Sequence, residues 1–306
     1  MSFKSPQVTV LMPVFNGEKY LEEAIGSILK QSFVDFELLI INDGSTDGSA
    51  AIINSYHDPR VRPVHNEKNL KLAAALNRGI ALARGEYIAR MDCDDLSLPE
   101  RLSRQVSFLD ENPSCGLCAT NAVAVNTAGE NLFNLFPEET AVPLEWTLIW
   151  ENPIAHPTVM LRKKFLLEFD LKYQDIPSED YDLWCRLVLR AKISRMSEVL
   201  LHYRYHPDSS YNVEKKRHLL QAIASSRDLA FAVTRQEIPV FHADLTIFPK
   251  AMGEPPKVYD TGSVNEWLAL LLAKSREKFG WDDRGYQNAK DDSRRLLARI
   301  MPAANA

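Results

Sequence analysis

The sequence predicts an α/β fold: a mostly parallel central sheet of Rossmann type, flanked by helices and followed by a helical C-terminal extension. Three observations carry this reading. Short apolar runs alternate with amphipathic helical segments through the first 110 residues. A cluster of polar residues follows each apolar run directly. From Glu214 onward the spacing is mostly helical, apart from a Pro-rich section.

Val8 to Met12 is an apolar run that ends at Pro13 and reads as a buried strand. Glu18 to Gln31 places Tyr20, Leu21, Ala24, Ile25, Ile28 and Leu29 on one helical face. Leu38 to Ile41 is a second buried strand. Asp43 to Asp47 forms a turn able to cap a helix running to Tyr56. Val61 to Val64 is a third strand, and Lys71 to Ala83 a helix stopped by Gly85. Tyr87 to Met91 is a fourth strand that runs into Asp92-Cys93-Asp94-Asp95, and Pro99 opens a helix to Leu109. Strands joined by crossover helices form a parallel sheet, and such sheets bind ligands at the carboxyl ends of their strands. The polar loops 13–18, 43–47, 66–69 and 92–95 lie at those ends.

The second half is more mixed. Cys115 to Val125, Thr158 to Leu161 and Val199 to Tyr205 read as strands. Leu144 to Trp150 reads as a helix, as does Tyr181 to Arg190, opened by Glu179-Asp180. A Pro-rich stretch at 239–257 reads as irregular. The expected division is a first domain at 1–212, in two halves at 1–110 and 111–212, and a mostly helical region at 213–306.

Composition narrows the function classes. The chain has 306 residues, 45% hydrophobic and 25% charged, with a formal net charge of −5. That charge is too mild to point to a nucleic-acid partner. Acidic residues outnumber basic ones before residue 213, and the balance reverses after it. An acidic N-terminal body accommodates an anionic ligand best through a cation. The four cysteines are too scattered for a disulfide framework, and Cys115-x-x-Cys118 lies in an apolar strand without a second pair, so its thiols are expected to be buried and structural. No signal peptide or membrane span is visible, which leads to the expectation of a cytoplasmic protein.

Four groups of residues could carry chemistry. Asp92, Asp94 and Asp95 suit a hard cation such as Mn²⁺ or Mg²⁺, or form a solvated turn ahead of the Pro99 helix. Asp43-Gly44-Ser45 with Asp47 is a helix-start turn, or presents a carboxylate to a base edge or ribose hydroxyl. Glu179-Asp180 caps a helix, or supplies a general base. His202, Arg204 and His206 share one face of a strand, either solvated or gripping an anion.

Taken together, these segments resemble family 2 glycosyltransferases, inverting enzymes of the GT-A fold. The resemblance rests on Val10 to Asn16 with Glu18; on Asp43-Gly44-Ser45 with Asp47; and on Asn69, Ala73 and Asn77 to Ile80. It continues through Gly85 to Ile88 and the D-x-D-type run Asp92 to Asp95, then His156 to Met160, Glu179 to Trp184, and Tyr203 to His206. It covers residues 7–212 and implies a set of roles. Pro13, Val14, Phe15, Asn16, Glu18 and Asp43 belong to the nucleoside site. Asp92, with Cys93 beside it, approaches the ribose, and Asp94 holds Mn²⁺ or Mg²⁺ between donor phosphates. Asp180 is the general base, supported by Glu179. Arg204 meets the leaving diphosphate, with His206 adding a metal ligand or a phosphate donor, and His156 borders the donor sugar. The implied partners are a nucleotide-sugar donor, UDP-linked by preference, and a saccharide or lipid-linked saccharide acceptor of bacterial cell-surface polysaccharide synthesis.

The sequence departs from the family pattern at Lys71, where many relatives carry Gly; the Lys either contacts phosphate or is a tolerated exposed residue. The Gly-rich stretch usual before the Glu-Asp pair is replaced by Phe169-Asp170-Leu171-Lys172-Tyr173. Near the C-terminus, Tyr286, Ala289, Ser293, Leu296, Leu297 and Ile300 fall on one helical side, with Lys290, Arg294, Arg295 and Arg299 largely elsewhere. Such a helix either rests on the inner face of a membrane or packs on the catalytic body or a partner chain, and packing is favoured. Two other function classes compete: a nucleotidyltransferase, disfavoured because loop 13–18 has one Gly and an acidic end, and a non-catalytic nucleotide-sugar-binding protein on the same fold. The sequence carries no signal for an oligomeric state.

Overall fold

The computed structural model describes residues 5–136, 141–205, 214–239, 242–246 and 260–300. The chain divides into two compact units, each built from three stretches. The first comprises Met1–Pro137, Ile154–Asp175 and Arg190–Ser209; the second comprises Glu138–Pro153, Ile176–Leu189 and Ser210–Ala306.

In the first unit, β1 (Val8–Val14) and β2 (Phe36–Asn42) are buried along their whole length. That is the pattern of central parallel strands covered on both faces. β3 (Val61–His65) is the half-exposed edge, and β4 (Tyr87–Arg90) is again fully buried. The four pair in parallel in the order β3-β2-β1-β4, as the crossover pattern requires. The helices between them are α1 (Leu21–Leu29), α2 (Ser49–Asn54) and α3 (Leu72–Leu82). α1 buries Leu21, Ala24, Ile25 and Ile28, a single helical face.

Two boundaries differ from expectation, each for a local reason. α1 starts at Leu21 because Gly17 O accepts from the Tyr20 and Leu21 amides, forming a turn over 17–20. Gly85 is not a left-handed helix stop. A Cβ there would lie 2.4 Å from Thr9 N, so Gly is required by close approach to β1.

Beyond β4 the sheet turns mixed. β5 (Leu96–Ser97), α4 (Arg101–Glu111), β6 (Cys115–Val125), β7 (Asn131–Asn134), β8 (Met160–Arg162), α6 (Lys163–Glu168) and β9 (Lys192–Arg204) complete the first unit. β8 runs antiparallel to β4 and β6, whereas β9 runs parallel to β6 over most of its length. The described sheet has nine strands in the order β3-β2-β1-β4-β8-β6-β9-β5, with β7 on β6. Neither β5 nor β7 was anticipated. They are two- and four-residue pieces held by pairing with β9 and β6, so local periodicity does not mark them. The Cys115 and Cys118 thiols are buried and unlinked, as expected.

The second unit holds α5 (Leu144–Thr147), α7 (Glu179–Leu187), α8 (Lys215–Thr234), α9 (His242–Leu245), α10 (Thr261–Phe279) and α11 (Asp283–Ile300). Its core centres on aromatic rings: Trp146 lies 5.3 Å from Trp150, and Trp150 lies 4.9 Å from His242, centroid to centroid. Trp267 Nε1 donates to His242 Nδ1 (3.3 Å). α11 buries Ala289, Ser293 and Leu296 while Lys290, Arg294 and Arg295 stay exposed. Trp146 Nε1 donates to Asp292 Oδ2 on the same helix (3.2 Å). The packed arrangement therefore holds for the described side chains of α11, and those of Leu297, Arg299 and Ile300 lie outside the description. No described helix is long and apolar enough to cross a membrane. The Pro-rich stretch 239–257 lies largely outside the described residues.

Candidate active site

The loops after β1 and β2 form one interlocked structure. Ser45 Oγ accepts from the Asn16 amide (3.0 Å), and Asn16 Oδ1 accepts from the Thr46 amide (2.8 Å). Ser49 Oγ accepts from the Gly17 amide (2.9 Å). Asp47 Oδ2 accepts from the Glu18 amide (3.1 Å), and Glu18 Oε2 accepts from the Gly48 amide (2.5 Å). The amide oxygen of Asn16 and one carboxylate oxygen of Glu18 thus tie the first loop to the second. Asp47 Oδ1 also accepts from the amide of Ser49, the first residue of α2 (3.0 Å). Pro13 and Val14 are buried strand residues, whereas Phe15 is 47% exposed and presents an aromatic face at the loop tip.

Asp43 is buried at the base of this structure. Its carboxylate accepts from Asn66 Nδ2 (2.5 Å) and from the Leu70 amide (3.0 Å), joining the loops after β2 and β3. Arg78 Nη1 donates in turn to Asn66 Oδ1. Next to Leu70, Lys71 adopts φ 72°, ψ 163°, a conformation that favours glycine. Lys71 Nζ lies 3.8 Å from Asp175 Oδ2, and both side chains are largely exposed.

The acidic turn follows β4. Asp92, Asp94 and Asp95 each offer a carboxylate oxygen, all within 4.8 Å of one another. Asp92 is half-buried and ion-paired with the buried Arg90. Burial works against the Arg90 charge, but Asp92, with Tyr173 and Asp95 adding, raises the pKa. Asp95 is buried; its Oδ1 accepts from the Arg204 amide (2.8 Å), and its Oδ2 has no hydrogen-bond partner. Burial, then the charges of Asp94 and Asp92, push the Asp95 carboxyl well above the usual range. Three converging hard oxygen donors, one of them buried and unsatisfied, fit a small divalent cation. Burial raises the Cys93 thiol, with Asp94 adding to the shift, so it stays protonated and packs. A Cβ on Gly17 would meet Cys93 Sγ at 2.8 Å, which shows how closely the first loop approaches the acidic turn.

The Arg204 guanidinium is turned into the protein. It is buried, with Nε donating to Asp94 O (2.8 Å), Nη1 to Thr127 O (3.1 Å) and Nη2 to Glu23 Oε2 (2.7 Å). It also stacks 4.3 Å over the Tyr20 ring. Arg204 therefore holds the backbone of the acidic turn. His156 is likewise enclosed, with Nε2 2.9 Å from Tyr173 Oη. Burial, then the charge of Arg90, lowers its pKa well below the usual value, leaving it neutral. His206 lies outside the described residues.

In the second unit, Asp180 sits in the first turn of α7. Its Oδ2 accepts from Asn152 Nδ2 (3.2 Å). Two positions earlier, Ser178 is left-handed (φ 53°), and its amide donates to His218 Nδ1 (3.0 Å). Sequence reasoning missed Asn152, Ser178 and His218. Asn152 precedes the recognised His-Pro segment, and His218 lies on a helix with no motif.

The sequence model of "Glycosyl transferase family 2" matches residues 9–168, more than half of the chain. The chain belongs to glycosyl transferase family 2.

That match runs from β1 to α6 and includes the interlocked loops, Asp43 and the acidic turn; Asp180, Arg204 and His218 lie beyond it. Relatives named as glycosyltransferases agree. The "Putative glycosyltransferase EpsE" of Bacillus subtilis is 35% identical over 187 residues, 59% of this chain and 66% of that protein. The "O-antigen biosynthesis glycosyltransferase WbnJ" of Escherichia coli is 33% identical over 252 residues, 80% of this chain and 96% of that protein. Among solved structures, S. aureus TarS 1–349 in complex with UDP-GlcNAc superposes with a TM-score of 0.62 at 18% identity, covering 94% of this chain and 92% of that one. The mannosyltransferase PcManGT from Pyrobaculum calidifontis, in complex with GDP-Man and Mn²⁺, gives 0.59 at 19% identity, covering 97% and 86%. These neighbours establish the GT-A fold of this family 2 glycosyltransferase.

Proposed function

We propose that the chain transfers a hexosyl group from a nucleotide-diphosphate sugar, UDP-linked by preference, to an acceptor hydroxyl with inversion. The acidic turn carries this reading: Asp92, Asp94 and Asp95 converge at the carboxyl end of a parallel strand, beside two loops laced together. Asp94 is the chief metal ligand. Phe15 offers the nucleoside an aromatic face, and Asp43 with Asn66 sets the floor beneath it. A bound Mn²⁺ or Mg²⁺ would neutralise charge on the leaving nucleoside diphosphate. Asp180 accepts the acceptor proton, held by Asn152 and supported by Glu179. Residues 1–212 supply these groups as the catalytic domain.

The UDP-GlcNAc and GDP-Man carried by the structural neighbours support a nucleotide-sugar donor, and the Mn²⁺ of one of them supports the metal. The O-antigen relative supports a place in bacterial cell-surface polysaccharide synthesis; we place the reaction in the cytoplasm, on a saccharide or lipid-linked saccharide acceptor. Thermal shift against UDP-, GDP- and dTDP-sugars with MnCl₂ tests the reading, followed by nucleoside diphosphate release. One donor class should raise the melting temperature only with metal. Stabilisation by none of them, or equal stabilisation in EDTA, overturns it.

A further inference from the structure

We infer that His218 is a positioning residue for Asp180: its Nδ1 accepts the Ser178 amide and fixes the left-handed turn from which the first turn of α7 projects the carboxylate. The inference rests on the reading of Asp180 as general base.

His218 lies in the first turns of α8 (Lys215–Thr234), beyond the residues matched to the family. Ser178 is the residue just before α7 (Glu179–Leu187) and holds φ 53°, ψ 41°. A left-handed Ser costs free energy, because its Cβ crowds the following carbonyl. Something must hold it there. The Ser178 amide donates to His218 Nδ1 (3.0 Å), and Ser178 Oγ lies 3.2 Å from both His218 Nδ1 and His218 O. A backbone N–H can only donate, so Nδ1 must be the bare nitrogen and Nε2 carries the proton. Burial lowers the His218 pKa, while the nearby Asp180, then Glu214, act in the opposite direction and Arg217 acts with burial. The ring is thus neutral in the form the contact needs. The Ser178 carbonyl also accepts from the Asp182 amide (3.2 Å), so the same residue begins the helix. With Asn152 Nδ2 on Asp180 Oδ2, the carboxylate is held from two sides: directly by a side chain, and through the backbone by His218. A general base must be held within a fraction of an ångström of its proton, so loosening this turn should slow chemistry more than it weakens binding.

The test uses His218→Phe, which keeps a ring and loses the acceptor, and His218→Asn, whose Oδ1 can replace Nδ1. In ¹⁵N-histidine-labelled protein at pH 7, His218 should show the Nε2–H tautomer, and the Ser178 amide should be protected from hydrogen exchange. That protection should be lost in His218→Phe and kept in His218→Asn. Nucleoside diphosphate release is then measured with the UDP-sugar that gives the largest Mn²⁺-dependent rate. His218→Phe should lower kcat about 10- to 100-fold with the donor KM little changed. His218→Asn should stay within about threefold of the unmodified protein, as expected when the acceptor is restored. An Nδ1–H tautomer, unchanged Ser178 protection in His218→Phe, or an unchanged kcat overturns the inference. Asp180→Asn is measured in parallel. Full turnover in that variant overturns the base assignment instead, while the exchange and tautomer results still decide whether His218 holds the turn.

Discussion

The guanidinium of Arg204 donates to the backbone carbonyl of Asp94 (Nε to O, 2.8 Å), tying the end of β9 to the acidic turn after β4. The Arg204 amide also reaches Asp95 Oδ1 (2.8 Å), so one residue grips two successive residues of the turn. Arg204→Ala should therefore destabilise the protein by about 2–4 kcal/mol, because buried acceptors lose their donor. Glu23→Ala, which removes the 62%-exposed end of the same network, should cost less than about 1 kcal/mol. Urea unfolding of the two variants checks the contrast; equal effects would show that the buried contacts do not dominate.

Asp94→Asn should weaken Mn²⁺ binding by more than about tenfold, since even outer-shell changes at metal sites cost that much. Titration calorimetry with MnCl₂ alone reads this without any donor. An unaltered Mn²⁺ isotherm would remove Asp94 from the metal site.

Asp180→Asn should keep donor-induced thermal stabilisation and lose about 10²–10⁴-fold in turnover. Near-normal turnover would require another base.

Lys71→Gly should stabilise the protein by about 1 kcal/mol, since φ 72°, ψ 163° strains any side chain with a Cβ. Lys71→Ala should show no such gain. Measured in the same two variants, donor affinity separates the two readings of this Lys: a phosphate contact predicts weaker binding in both, a tolerated surface residue predicts none.

His242 makes stability depend on pH. Burial, then the charge of Arg227, pushes its pKa down to about 3. Its Nδ1 accepts from Trp267 Nε1, and its Nε2 faces Ser226 Oγ, whose own proton goes to Ile149 O. The fold therefore needs the neutral ring, whereas the unfolded chain takes up a proton below about pH 6.5. The His242 contribution is complete above that pH. It declines by up to about 1.4 kcal/mol per pH unit as pH falls toward the folded value. Chemical unfolding between pH 7 and 4 should show this slope, and it should be shallower in His242→Phe.

Much of the fold was legible in the chain. A strand covered on both faces must be largely apolar, which is why the runs Val8 to Met12 and Leu38 to Ile41 stand out within β1 and β2. Asp43, Asp92, Asp94 and Asp95 were legible too, because loops at strand ends carry their polar residues in short consecutive runs. The position of β5 was not, since its pairing partner is remote in sequence, and that of β7 was not, since it is a four-residue exposed piece with no buried face.

The sequence by itself determined the alternation of strand and helix, the family, and the acidic turn, because each depends on residues close together in the chain. Only the tertiary structure decided that Arg204 supports that turn and that His218 reaches Ser178. The physical reason is separation: those contacts span 110 and 40 residues, and the donor and acceptor capacity of a side chain does not reveal which distant backbone group will meet it.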